Sequence, residues 1–322
     1  MTGGDPAGIG PEIFLGSLPE ILKKHPIIYI NTAGAQHARE CVRIAEGVHV
    51  RTLVVSSESL REAGSGLTIL DLPEQERVVP GIPGRESGRR ALAALEAACI
   101  WIKQRGTKAL VTMPLSKHHV SLSHPAFRGH TDYLADEFSS KVIMLMHGKA
   151  LSVIPLTVHV PLSHVPAELH ARMNDADLIR ILKILHGWKE YSGTRWALCG
   201  LNPHAGENGL LGREEIDFMN IIADRWRAEG LPIEGPLPAD GIFQEYHHGR
   251  YRLVLSAYHD QGLAPFKALE GRAGVNCTIG LPFVRTSPDH GTAFEIAGKG
   301  GADSASFAAA FELAQASEPL WI

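Results

Sequence analysis

Three histidines stand where apolar runs end. His159 closes "LTVHVPL", His204 follows "ALCGLN" in "NPHAGENG", and His259 follows "LVLSAY" at the head of "HDQGLAPFK". Neutral imidazole binds zinc, cobalt or iron through one ring nitrogen while a neighbouring group orients the other. Three imidazoles delivered to one sheet edge would therefore form a divalent-metal site. Taken singly, each is more often a structural residue than a ligand, and separations of 45 and 55 residues fit no local metal motif. Three roles stay open to His259: metal ligand, general base or satisfied core imidazole. Asp260, beside it, is placed to orient the ring.

A second set of side chains suits an anion. Lys267, Asn276 and Arg285 fall within "PFKALEGRAGVNCTIGLPFVRTS", and a compact charge, a neutral donor and a planar fork of donors together match phosphate or carboxylate. Their flanks are apolar, which argues against a merely solvated surface. In "RGHTDYLADEF", Thr131 stands where a helix begins, next to His130; free backbone N–H groups there would attract an anion, although an ordinary N-cap explains Thr131 equally well. "GGDPAGIGPE" is neither a dinucleotide fingerprint nor a phosphate-binding P-loop, and a tight turn into a helix from Pro11 accounts for it. The glycine-rich "DHGTAFEIAGKGGAD" (289–303) would let a cofactor's adenosine lie against backbone.

The elements that must position these groups follow an α/β pattern. Strands are expected at 27–30, 51–55, 108–112, 141–146, 151–160, 195–201, 251–257 and 275–281, with a loop after 257. Helices are expected from Pro11, from a Ser87 cap to before Gly106, and over 175–191, 213–229 and 302–315. A chain of 322 residues is long for one core, and no repeat or flexible linker divides it, so two interleaved α/β lobes are expected.

Composition narrows the partners. A formal net charge of -4 provides no basic face for nucleic acid. The four cysteines, Cys41, Cys99, Cys199 and Cys277, form no C-x-x-C pair, so buried reduced thiols are expected rather than a thiolate metal site or a disulfide framework. No apolar run approaches the roughly 20 residues that span a bilayer, and no basic-then-apolar leader opens the chain. A cytoplasmic location and no membrane partner are the expectation.

"GDPAGIGPE", "GHTDYLAD", "TVHVPLSHVP", "GLNPHAGENG", "AYHDQGLAPFK" and "GVNCTIGLPFVRTSPDHGTAFEIAGKG", in that order, resemble the 4-hydroxythreonine-4-phosphate dehydrogenase family of vitamin B6 biosynthesis. The resemblance implies an isocitrate/isopropylmalate dehydrogenase-like fold. A cofactor-side lobe would comprise 1–128 plus 288–322, and a metal, substrate and dimerisation lobe 129–287. It implies a homodimer whose active site is shared across the interface, with His159, His204 and His259 on one divalent ion (zinc, magnesium or cobalt), one ligand coming from the partner. Substrate contacts carry over to His130, Thr131, Lys267, Asn276 and Arg285, and NAD or NADP contacts to Asp289, His290, Gly291 and Thr292.

The implied reaction oxidises 4-phosphohydroxy-L-threonine at C3 to a β-keto acid that loses CO2 to give 3-amino-2-oxopropyl phosphate. Asp240 and Asp260 are the candidate general bases, Asp260 more as an orienting group. A branch acting on threonate or erythronate 4-phosphate is the near alternative. A metal-dependent hydrolase and a non-catalytic phosphometabolite-binding protein are the distant ones, both disfavoured by the "HGTAFEIAGKG" loop. Two departures stand out: only Met1 and Thr2 precede Gly3, where the family has a short apolar strand, and Gly241 stands where it more often has threonine.

Overall fold

Eight apolar runs become strands within three residues of their expected limits in the computed structural model, which describes residues 1–23, 25–55, 66–72 and 76–317. They are β1 (Ile27–Asn31), β2 (Val50–Val54), β4 (Ala109–Val111), β5 (Ile143–His147), β6 (Ser152–Thr157), β7 (Trp196–Cys199), β9 (Leu253–Tyr258) and β10 (Val275–Ile279). Three more, β3 (Leu67–Asp71), β8 (Ile233–Leu237) and β11 (Val284–Pro288), were not expected. In β8 the run "IEGPL" carries glycine and proline, and in β11 "VRTSP" alternates too little apolar surface to signal a strand.

Contacts divide the chain into a first unit, Met1–Ser140 with Phe283–Ala316, and a second containing Lys141–Pro282. The junctions thus fall at 140/141 and 282/283, beside the 128/129 and 287/288 expected, so His130 and Thr131 belong to the first unit. Residues 318–322 of the expected cofactor-side segment lie outside the described residues.

In the first unit β1, β3 and β2 form a parallel sheet in that order, and β4 pairs parallel with β11. Its helices are α1 (Gly10–Leu22), α2 (Ala35–Ile44), α3 (Arg85–Arg105), α4 (Lys117–Ser121), α5 (His130–Glu137) and α11 (Ala305–Ala316). Ser87 does not cap α3. The helix starts three residues earlier than such a cap would set it, with Gly84 at the cap; the Ser87 hydroxyl turns back from the first turn, accepting from the Gly84 N–H at 3.1 Å and lying 3.0 Å from its carbonyl oxygen.

The second unit orders its strands β10-β5-β6-β9-β7-β8. β10 and β6 flank β5 antiparallel, whereas β6, β9, β7 and β8 run parallel. Around them lie α6 (Val165–Met173), α7 (Ala176–His186), α8 (Asn220–Ala228), α9 (Ala239–Gln244) and α10 (His259–Glu270).

The segment after β9, expected as a loop, is α10. Its glycine and proline read as breakers, but tertiary contacts override them. Gln261 accepts the Ala257 N–H at 2.7 Å and donates to the Gly200 carbonyl at 2.8 Å, fixing the first turn. Leu263 and Phe266 are buried with Val153, Ala197 and Val254. A Cβ at Gly262 would overlap Ser256 and Val153, so glycine is what lets the helix lie this close to the sheet.

All four cysteines are buried and none is in a disulfide, as expected. Burial pushes the Cys41 and Cys99 thiols up to about 12 and raises Cys199 further. Among the described residues, no helix is long and apolar enough to cross a membrane.

Candidate active site

Four parallel strands lie side by side in the second unit, and the groups of interest follow their carboxyl ends. His159 comes two residues after β6, His259 directly after β9, His204 in the segment after β7, and Asp240 in the first turn of α9 after β8. That edge is where α/β sheets hold ligands, because strand-terminal backbone and helix starts converge there. The His159 and His259 rings have centres 6.0 Å apart, tilted by 36°. Two rings on one tetrahedral zinc have centres about 5 Å apart, so this pair lies within about 1 Å of the separation a shared ion needs. The His259 Nδ1 lies 2.6 Å from Asp260 Oδ1, which holds the proton on that nitrogen and leaves Nε2 as the donor atom.

Among the described residues, no three His, Cys, Asp or Glu side chains converge on one ion position. One chain therefore brings His159 and His259 together but does not bring His204 to them.

His204 is held in an unusual backbone. Residues 204–208 all take left-handed conformations, with φ of 51°, 51°, 77°, 42° and 55°. For the four that are not glycine this costs roughly 1–2 kcal/mol each, so the surroundings must impose it. Glu215, only 2% exposed, braces the entry to this turn: its carboxylate accepts from the Asn202 N–H at 2.8 Å and from Asn202 Nδ2 at 3.0 Å. Glu214 also takes Asn202 Nδ2, at 2.7 Å. Sustained strain of this kind concentrates at functional positions, and His159 likewise has a φ of 55°. Sequence reading missed Glu214 and Glu215, although two adjacent acids after a glycine loop were the available signal.

Asp240 is exposed, and a Cβ at neighbouring Gly241 would meet open space, so nothing steric requires glycine there. Lys267 lies two turns beyond His259 on the same helix, about 12 Å along its axis. Asn276 sits on β10 opposite Met146, and its Oδ1 is buried with no donor. An orphaned acceptor of that kind invites a ligand hydroxyl or ammonium.

The first unit holds the other anion-binding candidates. Arg285 on β11 is 3% exposed and donates from Nε and Nη2 to Thr112 Oγ1 at 3.1 and 2.7 Å. His130 opens α5. Burial, with the Arg285 and Lys117 cations nearby, holds its imidazole well below the ordinary range, so it is neutral at pH 7. Thr131 is the second helical residue and the cap is Gly129, which settles the N-cap alternative against Thr131.

Asp289 to Thr292 follow β11. The Asp289 N–H donates to Ser306 Oγ at 2.8 Å, and His290 Nδ1 donates to the Gly291 carbonyl at 2.9 Å. The N-terminal glycine turn braces this segment: Ile9 N–H donates to the Thr292 carbonyl at 3.0 Å, and Gly8 packs against Thr292. Glu12 accepts from the Gly298 and Ala302 N–H groups at 2.9 and 3.3 Å. The opening turn thus supports the glycine-rich segment, a role its sequence alone did not disclose.

A parallel-stranded α/β scaffold with imidazoles at its carboxyl edge, and candidate anion-binding side chains nearby in sequence, is the architecture of an α/β metabolic enzyme. Residues 23–314 match the profile of the pyridoxal phosphate biosynthetic protein PdxA family, and the chain belongs to that family. The 4-hydroxythreonine-4-phosphate dehydrogenase of Zymomonas mobilis is 35% identical over 98% of this chain and 93% of its own length. The crystal structure of the Klebsiella pneumoniae 4-hydroxythreonine-4-phosphate dehydrogenase superposes with a TM-score of 0.77 at 34% identity, covering 97% of this chain and 95% of that one. A terephthalate 1,2-cis-dihydrodiol dehydrogenase from Burkholderia xenovorans is also similar, with a TM-score of 0.64, 26% identity, and coverage of 99% and 97%. The family and the α/β fold expected from the ordered motifs are borne out.

Proposed function

We propose that the chain oxidises 4-phosphohydroxy-L-threonine at C3 with NAD or NADP, giving a β-keto acid that releases CO2 and leaves 3-amino-2-oxopropyl phosphate. The observation that carries this reading is the His159–His259 pair at the carboxyl edge of the parallel strands, with Asp260 on one ring. A divalent ion, whether zinc, magnesium or cobalt, supplies Lewis-acid polarisation of the C3 hydroxyl and of the carbonyl that replaces it. NAD or NADP would accept the C3 hydride, and a base would take the hydroxyl proton.

Each side chain has a separate task. His159, His204 and His259 would hold the ion, and Asp260 fixes the His259 ring. Asp240 is the better-placed proton acceptor, because Asp260 is already engaged with an imidazole. Lys267, Asn276, His130, Thr131 and Arg285 hold the substrate's phosphate and carboxylate, which fixes C3 for transfer. A neutral His130 donates a hydrogen bond to an anion without adding repulsion to Arg285. Asp289 to Thr292 contact the cofactor. Because His204 does not reach the other two imidazoles within one chain, the partner subunit of a homodimer supplies the third ligand.

The dihydrodiol dehydrogenase among the similar structures favours keeping a second reading, in which a different vicinal hydroxy compound is oxidised by the same machinery. Threonate and erythronate 4-phosphates are the nearest such substrates. Following NADH and NADPH formation with all three phosphorylated compounds, with and without a chelator, decides between them. Reduction fastest with 4-phosphohydroxythreonine and abolished by chelation is the expected result. No reduction with any of them would overturn the dehydrogenase reading.

A further inference from the structure

The opposite edge of the second unit's sheet carries charge that this chemistry does not use. At the amino ends of β7 and β9, Arg195, Arg250 and Arg252 line a cleft of about 430 Å³, with Tyr251, Gly193 and Gly249 among its other walls. Strands of four to six residues separate it from the histidine edge by roughly 13–20 Å.

Arg252 is half-buried in the wall of this cleft. Its guanidinium donates to Ser152 Oγ at 2.9 Å and to the Gly148 carbonyl at 3.1 Å, and it lies over the Tyr191 ring, 5.1 Å from the centroid. Among the described residues no carboxylate pairs with it. His147, 3.4 Å away, supplies no negative charge, and burial and Arg252 itself push its pKa down to about 3. The nearby Glu270 carboxylate is occupied by the Lys149, Ala150 and Leu151 N–H groups. Glu234 is shared by Arg195 at 3.5 Å and Arg250 at 3.1 Å, and it also accepts from the Tyr251 hydroxyl at 2.9 Å. Glu245 acts on Arg250 only at longer range.

A guanidinium is always charged, and one that is half-buried without a counter-ion is unfavourable until an anion joins it. Arg195, Arg250 and Arg252 are the charged residues of the cleft wall, and among the described residues only Glu234 pairs with any of them, which leaves the wall a positive excess suited to a phosphate group. The forks are also held in place, Arg252 by three neighbours and Arg250 by Glu234 and the Tyr251 ring at 5.1 Å. We propose that this cleft is a second ligand site, separate from the histidine edge, that binds the phosphate group of a small phosphorylated metabolite through paired guanidinium hydrogen bonds.

The test is calorimetric titration of the intact protein with inorganic phosphate in a chloride buffer, read together with amide hydrogen exchange. Phosphate should slow exchange in peptides covering 190–196 and 246–253. Arg195→Ala with Arg250→Ala should weaken that binding event at least tenfold while leaving NAD(P)H formation unchanged. Arg195→Lys with Arg250→Lys, which keeps charge but not the fork, should fall between wild type and the alanine pair and guards against misfolding of the latter. Equal protection by acetate would mean general anion screening and overturn the proposal. So would phosphate binding that is unchanged in both double variants, or that disappears entirely in Lys267→Ala.

Discussion

Asp260 is 85% exposed at its side chain, yet it holds His259 Nδ1 at 2.6 Å, so its value lies in the ring it orients rather than in burial. Asp260→Asn should weaken metal affinity by roughly 10–100-fold, as loss of such partners does elsewhere; equilibrium dialysis with zinc checks this apart from turnover. Lys267→Ala should raise KM for a phosphorylated substrate more than for its dephosphorylated analogue, and an equal loss for both would assign Lys267 another role. A third residue titrates the fold. His147, with a folded pKa of about 3 against roughly 6.5 unfolded, favours the neutral form. Its contribution is therefore complete above pH 6.5 and is lost as pH falls toward 3, at about 1.4 kcal/mol per pH unit. Urea midpoints from pH 7 to 5 should decline, and His147→Gln should flatten the decline by about one proton's worth. His37 and His130, also lowered by burial, keep a residual slope of the same sign. At this scale the histidines were readable, because apolar runs mark strand ends. The left-handed turn around His204 was not, because the Glu215 carboxylate that braces its entry comes from 11 residues further along the chain.

Elements explain why other expectations moved. Glycine and proline argued for a loop at 262 and 265, and only the closeness of α10 to β6 and β9 makes a glycine there compatible with a helix. Gly262→Val should destabilise the protein by about 1–3 kcal/mol through overpacking, measured by chemical denaturation, whereas Gly241→Thr, facing open space, should be close to neutral. Ser87→Ala should cost about 1 kcal/mol by removing the reciprocal contact with Gly84. Strands such as β5 and β9 were found because apolar residues dominate "IMLMH" and "LVLSAY". β8 stayed hidden because its partner β7, not its own composition, makes "IEGPL" a strand.

For the whole molecule, the proposed division of the metal ligands between two subunits has a measurable signature. His204→Ala and His259→Ala chains, each inactive alone, should regain up to about a quarter of wild-type activity when mixed and allowed to exchange subunits. One site of each mixed dimer would then be intact. No recovery after verified exchange would mean that both imidazoles serve the same ion from the same chain. The buried cysteines carry a different kind of information. Cys41 and Cys99 lie in the first unit, Cys199 and Cys277 in the second, and none presents a thiolate to solvent in the folded chain. Each unit thus contains two chemical clocks that start only when it opens. The order in which a thiol reagent consumes them at low urea reports whether the two units breathe together or one ahead of the other, with no label engineered into the protein.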